Sequence, residues 1–274
     1  MSDHFDGKRF FTPDAPPIAT WRMVLRWQFS RSPKGHWPAW VATAPTPTAP
    51  MHAPDDVTVT WVNQSTCLLR TPAGNFLTDP VYSHRVGLFG VFGPKRVHAP
   101  GVPFDQLPKI AAVLLSHDHY DHCDLPTLRR LAKRDAPLGI TPVGNGGLLR
   151  RAGFTRVVEL DWWEKTTAPM GVSVVATPAQ HWSNRSSGCR CGRLWGGFFL
   201  TVAGRRLYFT GDTGYHARIF RDIRERLGSP DLAMLPIGAY APRWFMRAQH
   251  CDPVEAVRIH CELGARRSVA MHWG

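Results

Sequence analysis

Residues 116–122 read Ser-His-Asp-His-Tyr-Asp-His and directly follow the apolar run 110–115. Such a run is typical of a buried strand, so the motif falls where that strand ends. Imidazole nitrogens and carboxylate oxygens are ligands that suit Zn²⁺. The spacing lets His117 and His119 bind one ion while Asp121 and His122 bind a second. We therefore predict a metal site with two ions at this position, rather than a solvated histidine-rich loop.

Further coordinating residues also lie at the ends of apolar, strand-like runs. They are His181 after 172–177, Asp212 after 206–210 and His272 after 268–271. A single residue in such a position is more often a turn residue or a partner of a core group. Because all three accompany the motif at 116–122, we interpret them as the remaining ligands of a two-metal centre.

This pattern resembles the metallo-β-lactamase superfamily. The motifs that carry the resemblance are SHDHYDH at 116–122, AQHWS at 179–183, TGDTGY at 210–215 and MHWG at 271–274. Other segments resemble the branch around N-acyl-phosphatidylethanolamine-hydrolysing phospholipase D, namely LTDP at 77–80, GPKR at 93–96, LDWWE at 160–164, LWGGF at 194–198 and LPIGAY at 235–240. The resemblance runs from about Val57 to the last residue. It implies a four-layer αββα sandwich, whereas spacing alone indicates only mixed α and β structure.

The same resemblance implies two zinc ions per chain. One ion would be held by His117, His119 and His181, the second by Asp121, His122 and His272, and Asp212 would bridge them. Metal binding lowers the pKa of water from about 15.7 toward about 7, so the two ions would share a hydroxide nucleophile. Asp121 and Asp212 are therefore the predicted catalytic residues, and Asp121 is also placed to assist a proton transfer.

The sequence departs from the family pattern at its end. It stops at Gly274, two residues beyond His272, where relatives usually continue with sequence that packs around the site. Either the chain is a short member or the sequence is truncated. In both cases we expect the geometry of His272 to be the least fixed of the seven ligands.

Several residues are predicted to support the metal ligands or the substrate. Asp79, at a strand end before Pro80, is predicted to accept the second N–H of a ligand imidazole or else to form a turn. His250 either contacts a phosphate or is a surface loop histidine. Four basic residues are candidate phosphate partners, namely Lys95, Arg96, Arg185 and Arg243. The Gly-spaced apolar segment 86–92 either contacts an acyl chain or is buried beneath the N-terminal region.

Charge leaves two classes of partner open. The formal net charge is +12, carried by 27 arginines and 6 lysines that are scattered along the chain. A basic surface of this kind suits nucleic acid or anionic lipid head groups, and it also arises from genomic nucleotide composition. Charge alone therefore does not separate a nucleic-acid-binding protein or nuclease from a lipid enzyme.

Residues 1–50 differ in composition from the predicted catalytic domain at 51–274. They end in the proline-interrupted spacer 44–50, and upstream Ile18, Trp21, Leu25 and Phe29 recur at helical spacing beside Arg22 and Arg26. We expect this helix to pack its apolar face on the catalytic domain. The alternative is an interfacial helix whose aromatic residues enter a membrane while its arginines meet phosphates.

Other signals concern compartment and secondary structure. No apolar run approaches the length of a spanning helix and no signal core is present, so a cytoplasmic location, possible peripheral membrane contact and six reduced cysteines are expected. Predicted strands form an opening meander at 57–62, 66–70 and 75–78. Helices are predicted at 125–133, 147–152, 216–227 and 253–263, the last with Asp252 as N-cap and Gly264 at its end.

Together these features predict a zinc-dependent hydrolase, most simply a phosphodiesterase of phospholipase D type that acts on N-acylated phosphatidylethanolamine or a related lipid. One alternative within the same fold is a lactonase or a soluble phosphodiesterase. A second alternative, from a different class, is a nucleic-acid-binding protein or nuclease, whose affinity would fall steeply with salt. The oligomeric state is not predicted.

Overall fold

The computed structural model describes residues 3–30, 38–44, 56–87, 91–185 and 190–273. The strands of these residues are β1 (Thr58–Asn63), β2 (Thr66–Thr71), β3 (Gly74–Thr78), β4 (Ile110–Leu114), β5 (Leu138–Pro142), β6 (Val157–Leu160), β7 (Lys165–Ala168), β8 (Val172–Thr177), β9 (Gly197–Val202), β10 (Arg205–Phe209), β11 (Leu232–Pro236) and β12 (Ser268–Met271). The α-helices are α1 (Trp21–Gln28), α2 (Leu125–Asp135), α3 (Gly146–Arg151), α4 (Ile219–Leu227), α5 (Arg243–Met246) and α6 (Pro253–Leu263).

The strands form two mixed sheets of six strands each. In the first sheet the order is β1-β2-β3-β4-β5-β6, antiparallel from β1 to β3 and parallel from β3 to β6. In the second the order is β12-β11-β10-β9-β8-β7, parallel from β12 to β10 and antiparallel from β10 to β7. Parallel neighbours place their carboxyl ends at one edge of a sheet, which is where ligands bind in many α/β proteins.

Apolar side chains fill three layers between the secondary-structure elements. Phe76 of the first sheet and Phe198 of the second belong to the core between the sheets. Helices α2 and α3 cover the outer face of the first sheet, with Leu128 fully buried there. Helices α4 and α6 cover the outer face of the second sheet, with Ile259 fully buried. This helix, sheet, sheet, helix order confirms the predicted four-layer αββα sandwich.

The predicted elements agree with the structure except near their ends. The meander is present as β1, β2 and β3, and α6 has the predicted bounds. Its N-cap is Asp252, whose Oδ1 accepts a hydrogen bond from the Glu255 N–H at 2.8 Å, as in a capping box. Helix α4 begins at Ile219 rather than at His216, and its N-cap is Arg218. His216 Nδ1 accepts hydrogen bonds from the N–H groups of Arg218 and Ile219 and so lies outside the helix.

Helix α1 does not pack as expected. Its predicted apolar face is largely exposed, with Trp21 at 66%, Leu25 at 45% and Phe29 at 83%. Ile18, which precedes the helix, packs against the cluster around Trp162 and Trp195. Within α1 the contacts come from another side of the helix, where the Trp27 ring stacks on Phe245 of α5 at 5.2 Å and Arg26 lies over the Trp244 ring. The expectation of a buried apolar face is therefore wrong for α1. Most of the predicted spacer, 45–50, lies outside the described residues.

Residues before α1 pack closely on the sandwich. Phe10 is buried in a cluster with Trp162 and Trp195, and its N–H donates to the Cys191 carbonyl at 2.8 Å. His4 is also buried and stacks on the Trp162 ring at 4.1 Å. Within the described ranges, no helix is both long enough and apolar enough to cross a bilayer.

Candidate metal centre

Loops at the carboxyl ends of strands from both sheets carry the predicted ligands. The loop after β4 carries His117, His119, Asp121 and His122, and the loops after β8, β10 and β12 carry His181, Asp212 and His272. His119 and Asp121 are half-buried and the other five are buried. The two-sheet fold thus brings all seven side chains to one place.

Three imidazoles converge in the first group. His117 Nε2 lies 2.9 Å from His119 Nδ1, and His181 Nε2 lies 3.2 Å from the same nitrogen. His181 Nδ1 donates to the Gln249 carbonyl at 2.8 Å, so its Nε2 carries the lone pair of a neutral ring. Three ring nitrogens therefore face one point.

The second group combines carboxylates with imidazoles. Asp121, His122 and His272 place one ligand atom each within 4.8 Å of one another. Asp212 Oδ2 lies 3.1 Å from both His122 Nε2 and His272 Nε2, and 3.8 Å from His181 Nε2. Asp212 therefore lies between the two groups.

These distances fit bound metal ions. Ligand atoms about 2.0–2.1 Å from a tetrahedral Zn²⁺ lie about 3.3 Å from one another, which is close to the separations in both groups. Among the described residues, the buried atoms His122 Nε2, His272 Nε2 and Asp212 Oδ1 have no hydrogen-bond partner. Buried polar atoms are rarely left without partners, and a cation would provide them.

Burial keeps the first group neutral. It lowers the pKa of His119 to about 4 and that of His181 to about 3. Burial also lowers the pKa of His117 well below its usual value, and the neighbouring imidazoles add to the effect. All three rings are therefore uncharged at neutral pH and free to donate lone pairs to a metal.

The second group carries the negative charge of the site. Burial would lower the pKa of His122 and His272, but the carboxylates of Asp212 and Asp121 outweigh it. The pKa of His122 is raised well above its usual value and that of His272 is raised to about 9. Burial would raise the pKa of Asp212, yet the adjacent charge of His122 holds it well below its usual value. The carboxylates thus favour a positive charge at this position, which a metal ion would supply.

Asp79 links ligands of the two groups. Its Oδ2 accepts hydrogen bonds from His122 Nδ1 at 2.7 Å and from the Ser116 hydroxyl at 2.5 Å. The Ser116 oxygen lies 2.8 Å from His117 Nδ1 and is placed to accept its proton. One buried carboxylate therefore orients His122 directly and His117 through Ser116, and it leaves Nε2 of each ring to face the centre.

A glycine is required beside Asp212. Gly211 has φ of +62°, and a Cβ there would lie 2.8 Å from the Gly196 carbonyl oxygen and 2.9 Å from Ser116 Cβ. A larger residue would both strain the backbone and push apart the loops after β4 and β10. The TGD sequence therefore has a steric basis.

A cavity of about 550 Å³ opens onto the two groups. Metal-facing residues at its base include His119, Asp121, Asp212 and His272. Its apolar walls include Val81, Val86, Pro94, Ala239 and Met246, and its basic side chains include His84, Lys95, Arg96 and His98. This volume lies within the range of small-molecule sites.

A family model for the beta-lactamase superfamily domain matches residues 74–273. The chain belongs to the metallo-β-lactamase superfamily. The match includes every strand from β3 to β12 and all seven predicted ligands. The recognised family and the observed sandwich agree, so the fold and the membership of this superfamily are established.

Relatives in the superfamily include two described as N-acyl-phosphatidylethanolamine-hydrolyzing phospholipase D. The protein from Caenorhabditis elegans is 36% identical over 81% of this chain and 65% of its own length. The mitochondrial protein from Saccharomyces cerevisiae is 37% identical over 78% of this chain and 47% of its own length. The chain thus spans about two thirds or less of these relatives.

A solved structure of the diiron β-hydroxylase CmlA from Streptomyces venezuelae has the same fold. Its TM-score is 0.61 at 23% identity, over 80% of this chain and 45% of CmlA. The likeness concerns the fold alone. It also means that a metallo-β-lactamase fold alone does not determine which metal is bound.

The predicted substrate contacts separate into two sets. His250 and Lys95 line the cavity, and His250 Nδ1 is buried 3.8 Å from Asp212 Oδ2 with no hydrogen-bond partner among the described residues. Arg96 also lines the cavity, but its Nε and one terminal nitrogen donate to the carbonyls of Ser83 and Val81. Arg96 therefore holds the loop after β3 in place.

The prediction that Arg185 and Arg243 contact the phosphate needs correction, because neither side chain lines the cavity. Arg185 donates to the carbonyls of Asp118 and Cys123 and stacks on the Tyr120 ring. Arg243 donates to the His250 carbonyl at 2.9 Å and to Glu255 at 2.6 Å. Their guanidinium groups brace loops around the site, and the abundance of arginine in the chain concealed this distinction.

Several residues of the site were not predicted, among them Ser116 and Gln64. Ser116 precedes the first ligand, and its hydroxyl joins Asp79 to His117. Gln64, in the turn between β1 and β2, contacts Asp121. A glutamine in a short turn has no sequence signal of its own, because its role depends on a residue 57 positions away.

Proposed function

We propose that this protein is a dizinc phosphodiesterase of phospholipase D type that acts on N-acylated phosphatidylethanolamine or a related phospholipid. The observation that carries the proposal is the cavity, which joins apolar walls and basic side chains directly to the seven-residue centre. The relatives from C. elegans and S. cerevisiae support the choice of substrate.

In this proposal His117, His119 and His181 would hold one metal ion and Asp121, His122 and His272 would hold the other. Asp212, which lies between the two groups, would serve both. Two zinc ions, when bound, activate a water at neutral pH and neutralise charge on the phosphate. The water oxygen adds to phosphorus, the bond from phosphorus to the ethanolamide oxygen breaks, and that oxygen takes up a proton. The products are an N-acylethanolamine and phosphatidic acid.

Other residues of the chain bind and orient the substrate. His250 Nδ1 faces the centre and has no hydrogen-bond partner among the residues that the structure describes, so we assign it to a phosphate oxygen. Lys95 lies at the exposed rim, where its charge attracts an anionic head group. Val86 and Met246 offer apolar surface to an acyl chain. Asp121, held beside His272 Nε2 at 3.4 Å, is the residue we assign to assist proton transfer.

We further propose peripheral contact with an anionic membrane. Segments that line the cavity also carry exposed apolar side chains, with Val91 at 62%, Phe92 at 64% and Trp244 at 42% exposed. Helix α1 contacts α5 through the stacked rings of Trp27 and Phe245, and it exposes Trp21 and Phe29. A rim of apolar side chains in a protein with a net charge of +12 suits a negatively charged bilayer.

A substrate comparison tests the proposed activity. The zinc-loaded protein should hydrolyse N-acylphosphatidylethanolamine in mixed vesicles at least about tenfold faster than a water-soluble aryl phosphodiester or an N-acyl lactone. Asp212→Asn should abolish the activity while leaving the circular dichroism spectrum unchanged. Preference for the lactone would contradict the lipid proposal, and full activity of Asp212→Asn would contradict the two-metal mechanism. Metal analysis of the active protein decides between zinc and iron.

A further inference from the structure

The turn between β1 and β2 lies against the second metal position. Gln64 is the first of the two residues in this turn and has φ of +42°. Its carbonyl oxygen accepts two hydrogen bonds, from the His272 N–H at 2.7 Å and from Trp61 Nε1 at 2.9 Å. Both lone pairs of this oxygen are therefore used, and one of them fixes the backbone of a predicted metal ligand.

The side chain of Gln64 contacts a second predicted ligand. Its Nε2 donates to Asp121 Oδ2 at 3.1 Å. The same carboxylate oxygen lies 3.4 Å from His272 Nε2 and 3.6 Å from His122 Nε2. The amide thus binds the oxygen that faces the ligand imidazoles, and it orients the Asp121 carboxylate toward them.

These contacts join the edge strands of the two sheets. Strand β1 is the edge of the first sheet and β12 is the edge of the second. Trp61 of β1 stacks on Trp273, the residue after His272, with ring centroids 4.4 Å apart. Gln64 joins the same two edges next to the predicted metal centre, through its hydrogen bond with the His272 N–H. His272 has φ of +57°, so its backbone needs this support to hold the imidazole in place.

We infer that Gln64 is a positioning residue for the second metal position, holding Asp121 through its amide and His272 through its carbonyl. The inference rests on the proposed two-metal centre. It assigns Gln64 to one metal position only, because its side chain donates to Asp121 of the second group. Residues that orient metal ligands typically change metal affinity about 10- to 100-fold when they are replaced.

Two substitutions separate this role from that of an ordinary turn residue. Gln64→Gly keeps the carbonyl, tolerates the positive φ and removes the side chain together with its amide. Gln64→Glu keeps the length but replaces the donor with a carboxylate beside Asp121. A residue needed only for the turn would accept glycine without loss, whereas a positioning residue would not. Gln106→Ala, at an exposed site in a short 3₁₀ helix, serves as the matched glutamine control.

The experiment is a Co²⁺ titration of the metal-free full-length protein, followed by visible absorption and by competition with a chelator. His181→Ala and His272→Ala assign the two binding steps to the first and second positions. Gln64→Gly should weaken the second step at least tenfold. Gln64→Glu loses the same donor but adds a carboxylate that attracts the cation, so it should weaken the second step less. Neither substitution should change the first step. The melting temperature of metal-free Gln64→Gly should equal or exceed that of the parent, and Gln106→Ala should behave as the parent.

An unchanged second step in Gln64→Gly would overturn the inference. So would equal weakening of both steps together with a lower melting temperature, since that result indicates a general structural role. A parent protein that binds a single Co²⁺ would overturn it as well. A parent that binds two ions but does not hydrolyse phospholipid would contradict the proposed function and leave the role of Gln64 intact.

Discussion

Asp79 illustrates how one residue can serve a whole site. Burial raises the pKa of its carboxyl group, and hydrogen bonds from His122 and Ser116 act against that rise. Hydrogen-bond donors around Asp79, including the Ser116 N–H at 2.7 Å, offset the cost of burying its carboxylate. Its contacts fix two ligand rings, so the strand-end aspartate at LTDP has a clear structural purpose.

Ser116→Ala should affect metal affinity differently at the two positions. The substitution removes the hydroxyl between Asp79 and His117 but leaves the bond from His122 Nδ1 to Asp79 in place. We expect affinity at the first position to fall about tenfold, while affinity at the second changes little. Chelator competition with zinc measures both steps. Equal weakening at both positions would show that Ser116 acts through Asp79 on the whole centre.

At the scale of secondary-structure elements, the sequence predicted what depends on local chemistry. The α6 bounds were correct because Asp252, Glu255 and Gly264 mark both ends of the helix. The meander was correct because β-branched runs alternate with turns. The arginine contacts were not predictable, because the folded chain alone brings the partners within reach. Arg185 donates to backbone carbonyls, and Arg243 donates to a backbone carbonyl and to the Glu255 carboxylate.

Helix α1 shows a different limit of sequence patterns. Its apolar spacing predicted that Leu25 would be buried, yet Leu25 is exposed and Trp27 contacts α5 instead. An apolar stripe on a helix indicates that this surface is favoured away from water, but it does not indicate what covers the surface. The same residues therefore fit a membrane as well as a protein partner, and the exposure of Trp21 and Phe29 shows only that the described residues do not cover them.

Double substitution of Trp21 and Phe29 by alanine should weaken binding to anionic vesicles at least about tenfold, because burial of a large apolar side chain contributes roughly 1.5–3 kcal/mol. Since both side chains are exposed, the melting temperature should not change. Vesicle sedimentation measures the binding. Met170→Ala is the control, because Met170 is 81% exposed beside the start of β8, at the opposite end of that strand from His181. A lower melting temperature with unchanged vesicle binding would instead indicate that α1 packs on the chain.

At the scale of the whole molecule, the metal centre lies where the two sheets meet. Its ligands follow β4 in the first sheet and β8, β10 and β12 in the second. The positions of these ligands could be predicted from strand-end patterns and from family resemblance. Their convergence could not be derived from spacing alone, because it depends on how two separate sheets face each other across one core.

Because both sheets supply ligands, bound metal should stabilise the whole fold. A ligand at about 100 times its dissociation constant adds about 2.7 kcal/mol to the free energy of unfolding. For a chain of this size, we expect chelation to lower the melting temperature by roughly 5–10 °C. Calorimetry with and without chelator measures the shift. His119→Ala should reduce it, whereas His260→Ala, a histidine of α6 that bonds to Ser268 Oγ, should not. An unchanged melting temperature on chelation would mean that the sheets are held together by their apolar core alone and that metal binding does not support the fold.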